Sequence, residues 1–155
     1  MKKILKSNYE IIPEKQLMIE LLDGIVTPGS IIHFKKIQLS DKQFNPSYNA
    51  IGDITNTSFD VATSQINAFV NFLRSNNDSF IVNKSAIILS TVNQQAYVNL
   101  FNTFKDQFPQ SLKICTSLAE AATWVDRTDD LEFIQDRLNY LKKNLKFEWI
   151  FESEY

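Results

Sequence analysis

The sequence predicts an α/β domain in which a mostly parallel sheet of about five strands is flanked by helices. Residues 85–89 (Ser-Ala-Ile-Ile-Leu) form a largely apolar run, as in a parallel strand covered on both faces. Ile66, Phe69, Val70 and Leu73 are spaced as one apolar stripe of a helix. Because strand and helix patterns alternate along the chain, crossover connections between parallel strands are expected.

The first predicted elements are two short strands, residues 9–12 and 17–22, whose close spacing indicates a hairpin. Asp23-Gly24 is expected to end the second strand. Thr27 is a predicted N-cap, because a proline follows it at the first helical position, and this helix should run to about Ser40.

The rest of the domain continues the alternation. Its predicted elements are a strand at residues 49–53, a helix from Asp60 or Val61, a strand at 85–89, a helix over about 93–108, a strand at 112–115 and a helix from 117 to 125. Ser117 and Glu120 have the spacing of a capping box, in which each side chain binds the other residue's amide.

Composition excludes several classes of protein. The chain has 155 residues, which suits one domain, and its net charge of −2 argues against a nucleic-acid-binding face. No apolar run is long enough for a membrane span or a secretory signal. One cysteine excludes an intrachain disulfide and fits a reducing compartment, so we expect a cytoplasmic protein.

The segment after the third strand is the main candidate site, because α/β proteins build sites at the carboxyl ends of buried strands. We expect a polar loop here that ends where Asp60 opens a helix. Its candidate partner-binding residues are Asp53, Thr55, Thr57, Ser58, Asp60 and Thr63. Two carboxylates with a few hydroxyls are a thin ligand set for a cation, so no metal is predicted. Asp53 is expected to bind loop amides and Asp60 to cap the helix.

Residues 51–60 (Ile-Gly-Asp-Ile-Thr-Asn-Thr-Ser-Phe-Asp) resemble a motif of the SpoIIAA-like superfamily, which includes the STAS domains of anti-sigma-factor antagonists. In that family an apolar strand ends in Asp, and a loop closes on a second Asp, as Asp53 and Asp60 do here. The resemblance covers about residues 9–125. Residues 44–49 (Phe-Asn-Pro-Ser-Tyr-Asn) are similar to a little-characterised bacterial branch.

The resemblance implies a non-enzymatic regulatory or protein-interaction module. Anti-sigma antagonists are switched by phosphorylation of a serine shortly after the second Asp, but Ala62 occupies that position here. Thr63 and Ser64 lie nearby, out of register. The phosphorylation switch therefore does not carry over, and the hydroxyls of this segment are read as caps and turn formers.

The residues needed for most enzyme chemistries are scarce. His33 is the only histidine, inside a predicted helix, where a structural or surface role is expected. Cys115 ends the predicted strand 112–115 and is interpreted as a small core residue rather than a reactive thiol. Residues 93–95 (Asn-Gln-Gln) open a helix whose amides could receive an anion, without a nearby base. We therefore expect no enzyme and no cofactor.

Residues 127–155 lie beyond the resemblance and form a predicted C-terminal extension. An apolar stripe with 3-4-3-4 spacing marks a helix, and its members are Leu131, Ile134, Leu138, Leu141 and Leu145. A lone helix of this length is marginal in water, so the stripe must dock on its own domain or form an oligomer contact with a second subunit. We hypothesise a homodimer contact, with intramolecular packing as the alternative. Residues 147–151 are expected to be a strand or an anchoring plug.

The sequence thus predicts partner contact through the Asp53–Asp60 segment and the following helix. The alternative is a protein that binds a small apolar ligand or a nucleotide. Five phenylalanines could line its pocket, although helical spacing is also typical of a core. These residues are Phe69, Phe72, Phe101, Phe104 and Phe108.

Overall fold

The computed structural model describes residues 2–60, 62, 65–75, 84–102 and 111–152. Its strands are β1 (Lys2–Ile12), β2 (Leu17–Val26), β3 (Asn49–Phe59), β4 (Lys84–Ile88), β5 (Ser111–Cys115) and β6 (Phe147–Glu152). Its helices are α1 (Pro28–Leu39), α2 (Ile66–Ser75), α3 (Val92–Asn102), α4 (Leu118–Trp124) and α5 (Leu131–Lys143), with short 3-10 turns at Pro13–Lys15 and Thr128–Asp130. Among these helices, none is long and apolar enough to cross a bilayer.

The strands form one mixed sheet with the order β5-β4-β3-β2-β1-β6. Strands β2 to β5 are parallel, and β1 is antiparallel to both of its neighbours. This confirms the predicted α/β class and the mostly parallel sheet. Since β6 adds a strand at one edge, the described sheet has six strands instead of about five.

Helices cover the two faces of the sheet unequally. On one face, Phe34 of α1 and Val98 of α3 are buried against Leu22 and Ile54 of the sheet. On the other face, α4 and α5 pack on a second apolar cluster. Its fully or almost fully buried members include Ile19, Ile51, Ala86, Ala121, Ile134 and Leu138. The sheet is therefore the middle layer of a three-layer arrangement.

Helix α5 belongs to the core of its own chain. Ile134, Leu138 and Leu141 are at most 2% exposed, and Leu131 and Leu145 pack against the same cluster. This corrects the hypothesis that the five residues form an oligomer contact, because their apolar surface is already used against the sheet. Of the two predicted alternatives, the structure has the intramolecular one.

The aromatic segment after α5 is a strand rather than a plug. β6 pairs antiparallel with β1, so that Ser7 lies opposite Phe147 and Lys2 opposite Glu152. Phe147 stacks on Tyr9 with ring centroids 5.8 Å apart. The C-terminal extension thus completes both the sheet and its covering layer.

Strands β1 and β2 are both longer than the sequence predicts. β1 begins at Lys2 rather than residue 9, and β2 continues through Asp23 and Gly24 to Val26. Gly24 has φ +111°, and a Cβ there would collide with the backbone oxygen of Ile4. The glycine therefore permits a close approach of two strands instead of ending one.

The predicted helix caps are largely confirmed. Thr27 accepts a hydrogen bond from the Ser30 amide at 3.2 Å and Ser117 accepts one from the Glu120 amide at 3.1 Å. The return contact of Glu120 differs from the prediction, because its carboxylate accepts from the amide of Thr116.

The packing of α5 makes a stability prediction. Leu138→Ala should lower the free energy of unfolding by about 2–5 kcal/mol, since it leaves a cavity in a filled core. The matched control is Asn139→Ala at the next, exposed position, with an expected change within about 0.5 kcal/mol. Urea denaturation measures both, and equal stability of the two variants would contradict the buried position of α5.

Candidate functional site

The segment predicted as a polar loop is the outer half of a strand. β3 does not end at Asp53 but runs to Phe59, and its residues 56–59 pair with residues 23–26 of β2. Because β2 is also longer than predicted, its backbone can pair with this part of β3, and no local sequence pattern reveals that pairing. The β-branched residues Ile54, Thr55 and Thr57, a type enriched in strands, were the available strand signal.

A bulge interrupts β3 directly after Asp53. Leu21 lies opposite Asp53 and Asp23 opposite Asn56, so β3 holds one residue more than β2 over this stretch. The Asp53 carboxylate is buried and accepts hydrogen bonds from the Thr55 amide at 2.9 Å and the Thr55 hydroxyl at 2.7 Å. Asp53 therefore holds the backbone of the bulge, as expected for a residue that binds nearby amides.

Asp60 lies at the far end of β3 and does not cap a helix in the described residues. Its carboxylate forms an ion pair with Lys3 of β1, and α2 begins only at Ile66. An extended strand rises about 3.3 Å per residue, so Asp53 and Asp60 are separated by roughly 20 Å along β3. The two aspartates cannot share one ligand, and Thr63 lies outside the described residues.

Gln94 supplies the hydrogen bonds that a neighbouring strand would otherwise make to the outer half of β3. β4 ends at Ile88, opposite Asp53. Beyond that point the Gln94 Nε2 donates to the carbonyls of Thr55 at 3.1 Å and Thr57 at 2.9 Å. Its Oε1 accepts from two amides at the start of α3. These are the amides of Ser90, at 2.8 Å, and Thr91, at 3.1 Å.

The side chain of Gln94 is completely buried, and the four bonds use both of its N–H groups and both lone pairs. The first free amides of α3 are also occupied, since Gln94 N donates to the Thr91 hydroxyl and Gln95 N to the Thr91 carbonyl. At residues 93–95, where an anion was one option considered from the sequence, the structure has a contact with β3.

One half of a sheet face remains exposed next to this contact. Helices α4 and α5 cover the half that holds Leu17 and Ile51, and the carboxyl-terminal half of β2 and β3 projects beyond them. We call this surface the open face. Its residues, which are exposed or half-buried, are Ile4, Lys6, Asp23, Ile25, Asn56, Ser58, Glu148 and Ile150.

The open face has a charged row beside an apolar one. Lys6 lies opposite both Glu148 and Asp23, and Asn56 Nδ2 donates to the Asp23 carboxylate at 2.7 Å. In the apolar row, Ile4 lies opposite Ile150, which is 51% exposed. Sequence reasoning missed this surface because its residues come from four strands, although it found Ser58.

The lone histidine and the lone cysteine have structural surroundings. The ring of His33 packs on Trp149 with centroids 4.4 Å apart. Cys115 is completely buried, and burial, with the nearby Glu120 carboxylate, raises the pKa of its thiol despite the opposing charge of Lys113. A thiol that keeps its proton is a poor nucleophile. Both residues match the structural roles expected from the sequence.

The proposed phenylalanine pocket falls mostly outside the described part of the chain. The side chains of Phe69 and Phe101 and all of Phe104 and Phe108 lie outside it, whereas Phe72 is half-buried with Lys36 Nζ 6.0 Å from its ring centroid. Within the described residues, no group of three or more His, Cys, Asp or Glu side chains is arranged to hold a metal ion.

A polar groove of about 720 Å³ lies at the opposite end of the sheet, between residues 13–16 and 123–130. Its basic side chains are already engaged. Lys15 forms an ion pair with Asp130 at 2.6 Å, and the Arg127 Nε donates to the Lys15 carbonyl at 2.8 Å. Because these basic side chains already have partners within the chain, the groove is not taken as the candidate site.

The role of Gln94 can be tested by Gln94→Glu. This change removes both N–H donors from buried carbonyls and places a carboxylate beside them, so stability should fall by at least about 2 kcal/mol. Gln95→Glu is the matched control, because Gln95 is exposed and the same charge near a helix N-terminus is favourable. Urea denaturation of both variants is the measurement, and two equal stabilities would refute the role of Gln94.

The raised pKa of Cys115 predicts a pH dependence. Above about pH 8.5 the unfolded state releases the thiol proton, whereas the folded state keeps it. The free energy of unfolding therefore falls as pH rises through this range. Replacement by alanine should flatten the decline of stability between about pH 8.5 and pH 10. Unfolding free energies of wild type and Cys115→Ala across this range provide the check, and parallel curves would count against it.

No protein-family model and no curated protein matches the sequence. Among solved structures, the chain is similar to the crystal structure of an uncharacterised protein of the DUF3478 family from Shewanella loihica PV-4, described as having a SpoIIAA-like fold. The TM-score is 0.52 and the identity 14%, over 79% of this chain and 94% of that chain. At this identity the likeness concerns the fold alone. It confirms the expected resemblance: this chain has a SpoIIAA-like fold.

Proposed function

We propose that the protein is a non-enzymatic regulatory or interaction module that contacts a partner protein through its open face. The observation that carries the proposal is the exposure of this surface beside the carboxyl ends of β2 and β3. The proposal keeps the Asp53–Asp60 segment that was predicted to contact a partner. A strand face replaces the expected loop.

The polar residues of β3 divide into two groups that support this assignment. Asp53, Thr55 and Thr57 form hydrogen bonds within β3. The Asp53 carboxylate accepts from the amide and the hydroxyl of Thr55, and the Thr57 hydroxyl donates to the Ile54 carbonyl at 2.7 Å. Asn56 and Ser58 are exposed. The first group shapes the strand, whereas the second group lies on the open face, where Asn56 bonds to Asp23 of the same surface.

The chemical mixture of the open face suits a protein partner. Interfaces commonly place apolar contact area beside polar groups that fix orientation. Ile150 offers exposed apolar surface, while Lys6, Asp23 and Glu148 offer both signs of charge. Asp60, 52% exposed and paired with Lys3, stands at the border of the surface.

The surroundings of Cys115 and His33 support a non-enzymatic role. A buried thiol with a raised pKa does not present a nucleophile. The His33 ring lies against an aromatic side chain rather than beside that thiol.

The test is affinity purification from the native cell with wild type, Asn56→Arg and Asn139→Arg. Asn56→Arg should reduce recovery of the partner at least about tenfold, because a bulky side chain rises from the centre of the surface. Asn139→Arg makes the same exchange at an exposed position of α5 and should recover the partner as wild type does. Equal recovery by all three baits would reject the open face as the binding surface.

A further inference from the structure

Strand β6 forms one edge of the sheet, and in the described residues its outer side pairs with no other strand. An unpaired strand edge is a template for another strand. β6 also exposes large apolar side chains, since Ile150 is 51% and Phe151 46% exposed. The edge therefore combines unpaired backbone groups with exposed apolar side chains, and both features favour the addition of another strand.

We propose that β6 pairs antiparallel with β6 of a second copy of this chain, so that two sheets join into one across a two-fold axis. A two-fold contact uses the same surface on both subunits and closes after two copies. The opposite edge, β5, is shorter and carries Lys113, a residue type that discourages edge pairing.

The alternation of side chains restricts the register of such a pair. Residues opposite each other in a sheet share a face, so a two-fold axis perpendicular to the sheet must place one residue opposite its own copy. The registers that pair most of β6 are centred on Trp149 or on Ile150. Either one pairs five residues from each chain.

Charge selects between these two registers. A pair centred on Ile150 places Glu148 opposite Glu152 of the other copy, twice, which is unfavourable. A pair centred on Trp149 places Lys146 opposite Glu152, twice, which is favourable. The dimer therefore has Trp149 opposite its own copy.

The same register covers the exposed apolar side chains. Phe147 lies opposite Phe151 of the second copy, and Ile150 lies opposite Glu148. Within one chain Phe147 is already held by Tyr9 and by Phe34, at centroid distances of 5.8 and 6.4 Å. It therefore presents a fixed ring to the incoming Phe151. Because few residues meet, the dimer is weak and reversible.

This contact shares Glu148 and Ile150 with the open face, but the two proposals are tested on different strands. Asn56 and Ser58 lie on β3, three strands away from β6 in the sheet order. Failure of one proposal therefore leaves the other intact, provided the variants stay on their own strands.

The experiment is sedimentation equilibrium of wild type, Lys146→Glu, Glu152→Lys and the double exchange. Each single change turns two attractive pairs into two repulsive ones and should raise the dimer Kd about tenfold. The double exchange restores attraction and should return the Kd to within about threefold of wild type. Lys42→Glu, an exposed position between α1 and β3, controls for net charge and should leave the Kd unchanged.

The proposal is overturned if wild type stays monomeric up to near-millimolar protein. It is also overturned if the single changes leave the Kd unaltered, or if the double exchange fails to restore it. Circular dichroism of each variant confirms that a change in mass is not a loss of fold.

Disulfide crosslinking tests the register independently. Trp149→Cys brings two thiols to directly opposite positions, within the Cα separation that a disulfide requires. Glu148→Cys and Ile150→Cys place their copies about 8 Å apart, beyond that limit. Covalent dimer in air should form with the first variant only. Efficient crosslinking by a control, or none at position 149 in a folded variant, would reject this register.

Discussion

The outer half of β3 needs hydrogen-bond partners that β4 does not reach, and a buried glutamine provides two of them. Gln94 bonds both to the carbonyls of β3 and to the amides that open α3. Its position therefore joins the strand extension to the helix that begins after β4. Because carbonyls shielded from water are costly without donors, Gln94 stabilises the extension of β3 together with the pairing to β2.

The C-terminal extension is the second constraint on the fold. Helix α5 fills one face of the sheet with Ile134, Leu138 and Leu141, and β6 then pairs with β1 at the other end of the chain. The bidentate contact between Arg137 and Glu10 also joins these regions and raises the pKa of the guanidinium, chiefly through hydrogen bonding. Strand β1 is thus joined to the C-terminal extension by strand pairing and by an ion pair. The proposed dimer would extend the same sheet beyond β6.

The polar residues of the candidate site fall into a buried group and an exposed group, which bind different partners. Buried polar groups such as Asp53 and Gln94 satisfy the backbone and give β3 its bulge and its length. The exposed Asn56 and Ser58 share a surface with an exposed isoleucine, and Asn56 donates a hydrogen bond to Asp23 of that same surface. This division supports the proposed recognition role, since the residues with a shifted pKa, such as the buried Cys115, lie outside the open face. Tyr9 is a further example, as burial and its bond to Asp41 raise its pKa.

The sequence by itself determined the features that depend on near neighbours. The apolar runs and helical stripes identified the α/β class, the caps at Thr27 and Ser117, and the apolar face of α5. The resemblance of residues 51–60 also identified the fold, although it implied a loop where a strand lies. These signals were sufficient because propensity, capping and amphipathic spacing act over a few residues.

Only the tertiary structure decided what the same residues bind. Whether β3 stops at Asp53 depends on β2 and on Gln94, about 40 positions further on, and the partner of Asp60 is Lys3, near the other end of the chain. Likewise, the apolar stripe of α5 is compatible with its own sheet and with a second subunit when only the sequence is considered. The structure shows that the sheet covers it. Local patterns cannot resolve such choices, because the energies that settle them come from contacts distant in sequence.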